Sequence, residues 1–302
     1  MGFIEITKKT NIDFIGLRKQ AFILSAILVL LGFFAFVMVS FGKANLSVDF
    51  TGGSSMQIRF AQPISIGELR AALATGGLDD VQIQQVSGAS QFLIKTKASD
   101  VGQDKVHDRV SKALASTFKD KKFEVLESNM VGPTVGNTLK RNAIIAMVVA
   151  FACIILYVWW RFTFVFGVAA TIATFHDVLA LLGIFYVLHQ EMNILFITAL
   201  LTIAGYSLTD TVVVFDRIRE NMAKMKSKED FGGVINRSIN EVLSRTLITS
   251  LTTLLAIGAI LVLGGHVLFS FSFALFIGVL VGTYSSIFVA SPLVYIWRKR
   301  AL

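Results

Sequence analysis

Six apolar runs set the plan of this chain. They are Ala21–Phe41, Ala143–Trp160, Phe164–Leu188, Asn193–Phe215, Leu247–Leu263 and a last one within Phe269–Ile296. Each is about long enough to cross a bilayer as a helix. The first has positive residues before it, as a signal peptide would. Its core is too long for one, and no small-x-small site follows cleanly, so it reads as an uncleaved anchor. Residues 1–20 before it form a short cytoplasmic lead-in. There Asn11-Ile12-Asp13-Phe14-Ile15-Gly16 suggests an amphipathic segment lying on the membrane surface.

Between the first and second runs the hydrophobic period changes repeatedly, and residues 44–141 read as the soluble domain. Ser47–Phe60 ends in alternation and predicts a strand with a glycine bend. Ser65–Ala74 predicts a helix that starts on a serine and stops at Gly76-Gly77. Val81–Val86 and Gln91–Thr96 alternate around Ser87-Gly88, a hairpin signal. Asp104–Phe118 predicts an amphipathic helix and Lys122–Asn129 a last strand. That order is β-α-β-β-α-β, the ferredoxin-like arrangement. The fold expected is an α-helical polytopic membrane protein with six transmembrane helices and one α+β ferredoxin-like extracytoplasmic domain between the first and second. Residues 142–302 carry helices two to six. Within them lie a basic cytoplasmic loop at 216–246, an interfacial helix at Gly232–Leu243, and Gly278-x-x-x-Gly282 as a close-packing face.

Composition agrees with this plan. With 54% hydrophobic and 16% charged residues, only one modest soluble domain can be present. The net charge of +8 gathers at segment ends and in the inner loop. The positive-inside rule accounts for that and puts both termini in the cytoplasm; it gives no sign of nucleic-acid binding. Cys153 is the only cysteine and lies in an apolar run, so no intrachain disulfide is expected. No Cys/His cluster has metal spacing, and neither a cofactor nor an enzyme's nucleophile–base set is expected. His107, alone on a charged helix face, reads as a surface residue.

The candidate chemistry lies inside the apolar runs. Asp210 sits in the fourth, roughly 10 Å inside the boundary marked by Arg217. A carboxylate there costs several kcal/mol unless it is neutralised or partnered. Two readings stand: a helix–helix hydrogen bond, or a proton-binding group. Desolvation favours the protonated acid and an approaching cation favours the ionised one. Arg245, at the start of the fifth run and at similar depth, is a candidate moving cation, or simply a positive-inside anchor. His176 and Asp177 lie near mid-membrane in the third run, as part of a hydrated relay or as stitches between helices. Being neighbours on a helix they point about 100° apart, so they are not expected to face one partner. Tyr206, Ser207, Thr209 and Thr211 line the same path or merely pack. Asp216 and Arg217 are expected to pair at the boundary. Asp49, Gly52 and Gly53 are either a hinge between membrane and domain or a tight turn into a strand.

Several stretches, in this order, give the chain a family resemblance. They are Asn11–Gly16, Val48-Asp49-Phe50-Thr51-Gly52-Gly53, Val131–Gly136, His176-Asp177-Val178, Gly205–Asn221, Ser244–Ser250 and Gly278–Ala290. Each alone is weak; together they resemble the SecF branch of the SecD/SecF family, in the resistance-nodulation-division superfamily. The resemblance implies a bacterial inner-membrane subunit, paired with SecD as a heterodimer. It also implies docking on the SecYEG translocon with YajC and YidC nearby, and use of the proton-motive force to complete preprotein export. It supports Arg245 as a working cation beside Asp210. Two departures are visible: Thr209 stands where asparagine is expected, and the chain stops soon after the last crossing. The alternatives are a passive scaffold of the translocon, or half of a proton-driven small-molecule exporter.

Overall fold

The computed structural model describes residues 10–78, 81–87, 90–96, 104–118, 122–225 and 230–301. The hairpin tip at 88–89 and residues 1–9 of the lead-in lie outside them. The chain divides into two units, one of residues 1–45 and 145–302, the other of residues 46–144.

In the second unit, α2 (Val48–Thr51), β1 (Gly53–Phe60), α3 (Ile66–Thr75), β2 (Val81–Ser87), β3 (Gln91–Thr96), α4 (Asp104–Thr117) and β4 (Phe123–Val131) follow one another. α1 (Arg18–Ser40) belongs to the first unit. The strands make one antiparallel sheet in the order β2-β3-β1-β4, the ferredoxin-like topology. Alternation decides which face is buried: Met56, Ile58 and Phe60 on β1 and Phe92 and Ile94 on β3 meet Leu69 and Leu73 of α3 and Leu114 of α4. Ser65 begins α3 with a capping box, in which its hydroxyl takes the Glu68 N–H and the Glu68 carboxylate takes the Ser65 N–H. The expected strand from Ser47 is corrected: residues 48–51 form a helical turn capped by Ser47, and the strand starts only at Gly53.

The first unit is helical. α5 (Pro133–Arg161) begins in the second unit and ends here. α6 (Phe164–Val187), α7 (Ile194–Ala223), α8 (Phe231–Leu263) and α9 (Gly265–Ser285) follow. A π-helical turn (Ser286–Ala290) joins α9 to α10 (Ser291–Ala301), so these three form one span. Among the described residues six helices are thus long and apolar enough to cross a membrane, making this a multi-pass membrane protein. α6 and α7 are the most buried of them, and α5 is mostly exposed apolar surface.

Two close approaches set the bundle. The expected small-residue face on α9 is present: a Cβ on Gly282 would lie 2.9 Å from that of Ser207, and one on Gly278 would overlap Ile203, both on α7. The other is between α1 and α6. There a Cβ on Gly32 would overlap the Leu179 carbonyl, and one on Gly183 would lie 2.7 Å from the Gly32 nitrogen. Gly32→Leu is therefore expected to separate these helices and cost at least about 1–3 kcal/mol, since backbone cannot yield as a side chain does. Thermal unfolding of the protein in detergent measures it.

Three expectations at the basic end are corrected. The loop expected at 216–246 is almost all helix, because α7 runs on to Ala223 and α8 starts at Phe231. The helix expected at Gly232–Leu243 is the first half of α8, not a separate interfacial piece. Its stripe of Val234, Ile235 and Ile239 is buried inside the protein. The described part of the lead-in does not lie free on the surface: residues 14–17 form a turn, with Phe14 and Ile15 packed into the same core as Ile218, Ile235 and Ile239.

Candidate functional site

Polar side chains inside the bundle fall into two groups with opposite character. In the first the carboxylate is saturated. Asp177 on α6 is completely buried, and its carboxylate accepts from three helices. His176 Nδ1 lies 2.9 Å from Oδ1, Ser285 Oγ donates to Oδ2 over 2.8 Å, and Ser207 Oγ donates to the same oxygen. His176 and Asp177 share no third partner, but their side chains curl together and bond directly, a contact that the sequence did not indicate. Ser285 owes its position to the end of α9, one residue before the π-helical turn, where Ser291 Oγ donates to Ser286 O. π-helical turns widen a helix locally and are frequent at functional sites. His176 Nε2 is buried without a hydrogen-bond partner, and its ring lies 6.3 Å from that of Tyr284. Tyr284 in turn donates to Ala21 O at 2.8 Å and meets Ser25 Oγ at 3.1 Å, which ties α9 to α1.

The second group is unsaturated. Asp210, one turn further along α7 than Ser207, is 8% exposed, and its Oδ2 is buried with no hydrogen-bond partner. The hydroxyl of Tyr206, one turn before it, and Thr246 Oγ1 on α8 are likewise buried and unpartnered. Arg245 is exposed; it acts on Asp210 electrostatically but is not within the 4.0 Å of an ion pair. Thr209 faces outward and spends its hydroxyl on Gly205 O, while Thr211 is buried. The structure therefore joins Asp177, His176 and Ser207, and leaves Arg245 within electrostatic influence of Asp210 but outside ion-pair distance. A carboxyl without fixed partners can take or lose a proton without breaking any bond. One held by three donors cannot.

Below this pair a polar seam fastens α7 to α8. Asn221, 5% exposed, donates to Ser238 Oγ at 3.0 Å and to Glu241 Oε2 at 2.7 Å. Arg217 Nε donates to the same Glu241 oxygen at 2.6 Å. Helical spacing puts Asp210, Val214, Arg217 and Asn221 on one face of α7, and Ser238, Glu241 and Arg245 on one face of α8. The expected Asp216–Arg217 pair is corrected: Asp216 takes two hydrogen bonds from Arg161 NH2, at 2.9 and 2.7 Å, leaving Arg217 to Glu241 and Glu220.

Asp49, Gly52 and Gly53 belong to the second unit. The two units divide at Asn45/Leu46 and at Ile144/Ile145, so the glycines are inside the second unit and not at its boundary. Gly52 has φ +69°, and a Cβ on it would lie 3.0 Å from Pro133 Cα; one on Gly136 would lie 3.0 Å from the Gly52 nitrogen. Gly52→Ala is expected to cost about 1–3 kcal/mol from the backbone alone, because φ +69° with ψ 159° is a conformation essentially only glycine adopts. Limited proteolysis of the soluble unit in membranes reads that loss. Among the described residues no group of three His, Cys, Asp or Glu side chains is placed to hold a metal ion.

Sequence reasoning gave no role to Ser285, Tyr284, Asn221 or Glu241, although the first three lie in stretches that carry the family resemblance.

Comparison with known proteins bears on the whole chain. A family model described as protein export membrane protein SecD/SecF, C-terminal, matches residues 109–300, and one described as the SecD/SecF GG motif matches residues 43–64. A protein translocase subunit SecF from Thermodesulfovibrio yellowstonii is 50% identical over 300 residues, 99% of either chain. A protein translocase subunit SecDF from Thermus thermophilus is 43% identical over 87% of this chain but only 36% of its own length. A crystal structure of SecDF, a translocon-associated membrane protein from Thermus, matches with a TM-score of 0.83 at 39% identity. It covers 99% of this chain, which spans 40% of that one.

Proposed function

The chain belongs to the SecD/SecF family of protein export membrane proteins, and from that premise we propose that it couples the proton-motive force to the late stage of Sec export. It works as the SecF-type half of a pair with a SecD chain. Support for the pairing comes from the Thermus relative, a much longer chain that bears the joint name. The pair docks on SecYEG in the bacterial inner membrane. Both termini face the cytoplasm, the side on which Arg161, Arg217, Arg219 and Arg298 cluster.

One observation carries the proton reading: Asp210 is buried, lacks a partner for Oδ2, and has Arg245 within electrostatic reach but out of contact. In the cycle we propose, a proton arriving from the outer side neutralises Asp210. Approach of Arg245 or of water favours the ionised form, and the proton leaves inward. Each charge that crosses yields about 2.3 kcal/mol per 100 mV, enough to bias a conformational change that pulls or holds a preprotein.

The test uses inverted inner-membrane vesicles containing SecYEG and a SecD chain, with and without this chain. A preprotein is arrested part-way and ATP is removed. The expected result is that completion requires this chain and stops when a protonophore collapses the gradient. Completion that needs the chain but ignores the protonophore would instead make it a passive scaffold.

A further inference from the structure

The segment ahead of α1 is bound to α8 by a ladder of side-chain amides. Asn240 Oδ1 accepts from the Ile12 N–H at 3.0 Å and Asn240 Nδ2 donates to Ile12 O at 2.9 Å, so one amide pairs with both backbone groups of one residue. One turn earlier, Asn236 Oδ1 accepts from the Ile15 N–H at 3.0 Å and its Nδ2 donates to Asp13 Oδ1 at 2.6 Å. Asp13 Oδ1 also takes the Gly16 N–H, and Arg18 donates to Ile15 O and lies over the Tyr295 ring. The side chains of Phe14 and Ile15, 4% exposed each, drive into the core beneath. This strap therefore grips one face of α8, while the Asn221–Glu241 seam grips another.

The grip ends just short of Arg245, which is five residues past Asn240, about 7.5 Å along the helix. Beyond it α8 exposes Leu247, Leu251 and Leu255 and is loosely covered. A cation and a carboxyl that do not touch interact according to their separation. A small shift of the clamped end thus changes what Asp210 feels.

Resting on the proton reading given above, we infer that Asn236 and Asn240 are positioning residues for proton exchange. By locking α8 to residues 12–15 they fix where Arg245 stands relative to Asp210. The lock is closed at all physiological pH. The Gly16 N–H and the Asn236 amide hold the Asp13 carboxyl below its ordinary value, helped by the Arg18 charge and opposed by slight burial. A group lowered on folding contributes stability that is complete above the unfolded value, about 3.9, and fades only as pH falls through the lower folded one.

The experiment compares Asn240→Ala, Asn240→Asp, Arg245→Gln and Asp210→Asn in the vesicle assay, as full chains assembled with SecD, over a range of pH. Asn240→Ala is expected to slow proton-driven completion about tenfold and to displace its pH profile in the same direction as Arg245→Gln. Asn240→Asp, which keeps the acceptor for the Ile12 N–H, is expected to fall between Asn240→Ala and wild type. If Asn240→Ala does not accumulate, Asn236→Ala, which leaves the Ile12 bonds in place, is read the same way. A wild-type profile, or a slower rate with an unshifted profile, overturns the inference. If that happens while Asp210→Asn is inactive, only the positioning role fails. If Asp210→Asn keeps proton-driven completion, the proton reading fails and takes this inference with it.

Discussion

Asp210→Asn is expected to reduce proton-driven export to the level of membranes that lack the chain, while the protein folds and assembles normally. Both halves follow from the same geometry. Oδ2 of Asp210 bonds to nothing, so an amide of the same shape loses no hydrogen bond. The change in stability is expected to stay within about 1 kcal/mol. An amide takes up no proton in this range, so the step that draws on the gradient is lost outright. Export is measured as mature secreted protein in cells, beside the amount of chain co-purifying with SecD. Normal secretion with an unchanged dependence on membrane potential would sink the proton reading. Loss of secretion together with loss of the chain would mean that Asp210 is structural after all.

How much of this was legible in the sequence depends on how local each cause is. Membrane spans announce themselves because apolar length is read within one segment, and the sheet because alternation is. Asp210 stood out because a lone acid inside an apolar helix has no cheap explanation. Of the partners of Asp177, His176 and Ser207 were in view but Ser285 was not, because it is 108 residues away and nothing assigns that one serine to this carboxyl. The same holds for Gly32 against Gly183, where each helix contributes a single glycine and no spaced motif forms. The region 216–246 was misread for another reason. Arg217, Glu220, Asn221, Ser238 and Glu241 look like loop composition, but they sit on facing helices, where Arg217 and Asn221 pair with Glu241 and Ser238 across the seam and Glu220 pairs with Arg217 on its own helix. The strap was misread likewise, since its amphipathic pattern fits a membrane surface as well as a groove in the protein. Only the amides of Asn236 and Asn240, more than 200 positions away, decide between them.

Asp177→Ala is expected to act in the opposite way to Asp210→Asn. It removes the acceptor for His176 and Ser207, each of which is left buried at a cost of about 1–3 kcal/mol, while Ser285 keeps only its longer bond to Gly282 O at 3.1 Å. Several kcal/mol is a large part of a typical folding free energy, so the chain should accumulate poorly and unfold at markedly lower temperature. Asp177→Asn keeps the shape and one carbonyl oxygen, and should lose only part of that stability. Thermal unfolding in detergent ranks the three proteins, and vesicle export scaled to the amount of assembled chain separates folding from function. On that scale Asp177→Asn is expected to retain proton-driven export, because in the cycle proposed above the carboxylate joining α6, α7 and α9 is a fixed point against which the partnerless one changes state. An Asp177→Asn chain that is as stable as wild type yet exports nothing would reverse these roles and place Asp177 on the proton's path.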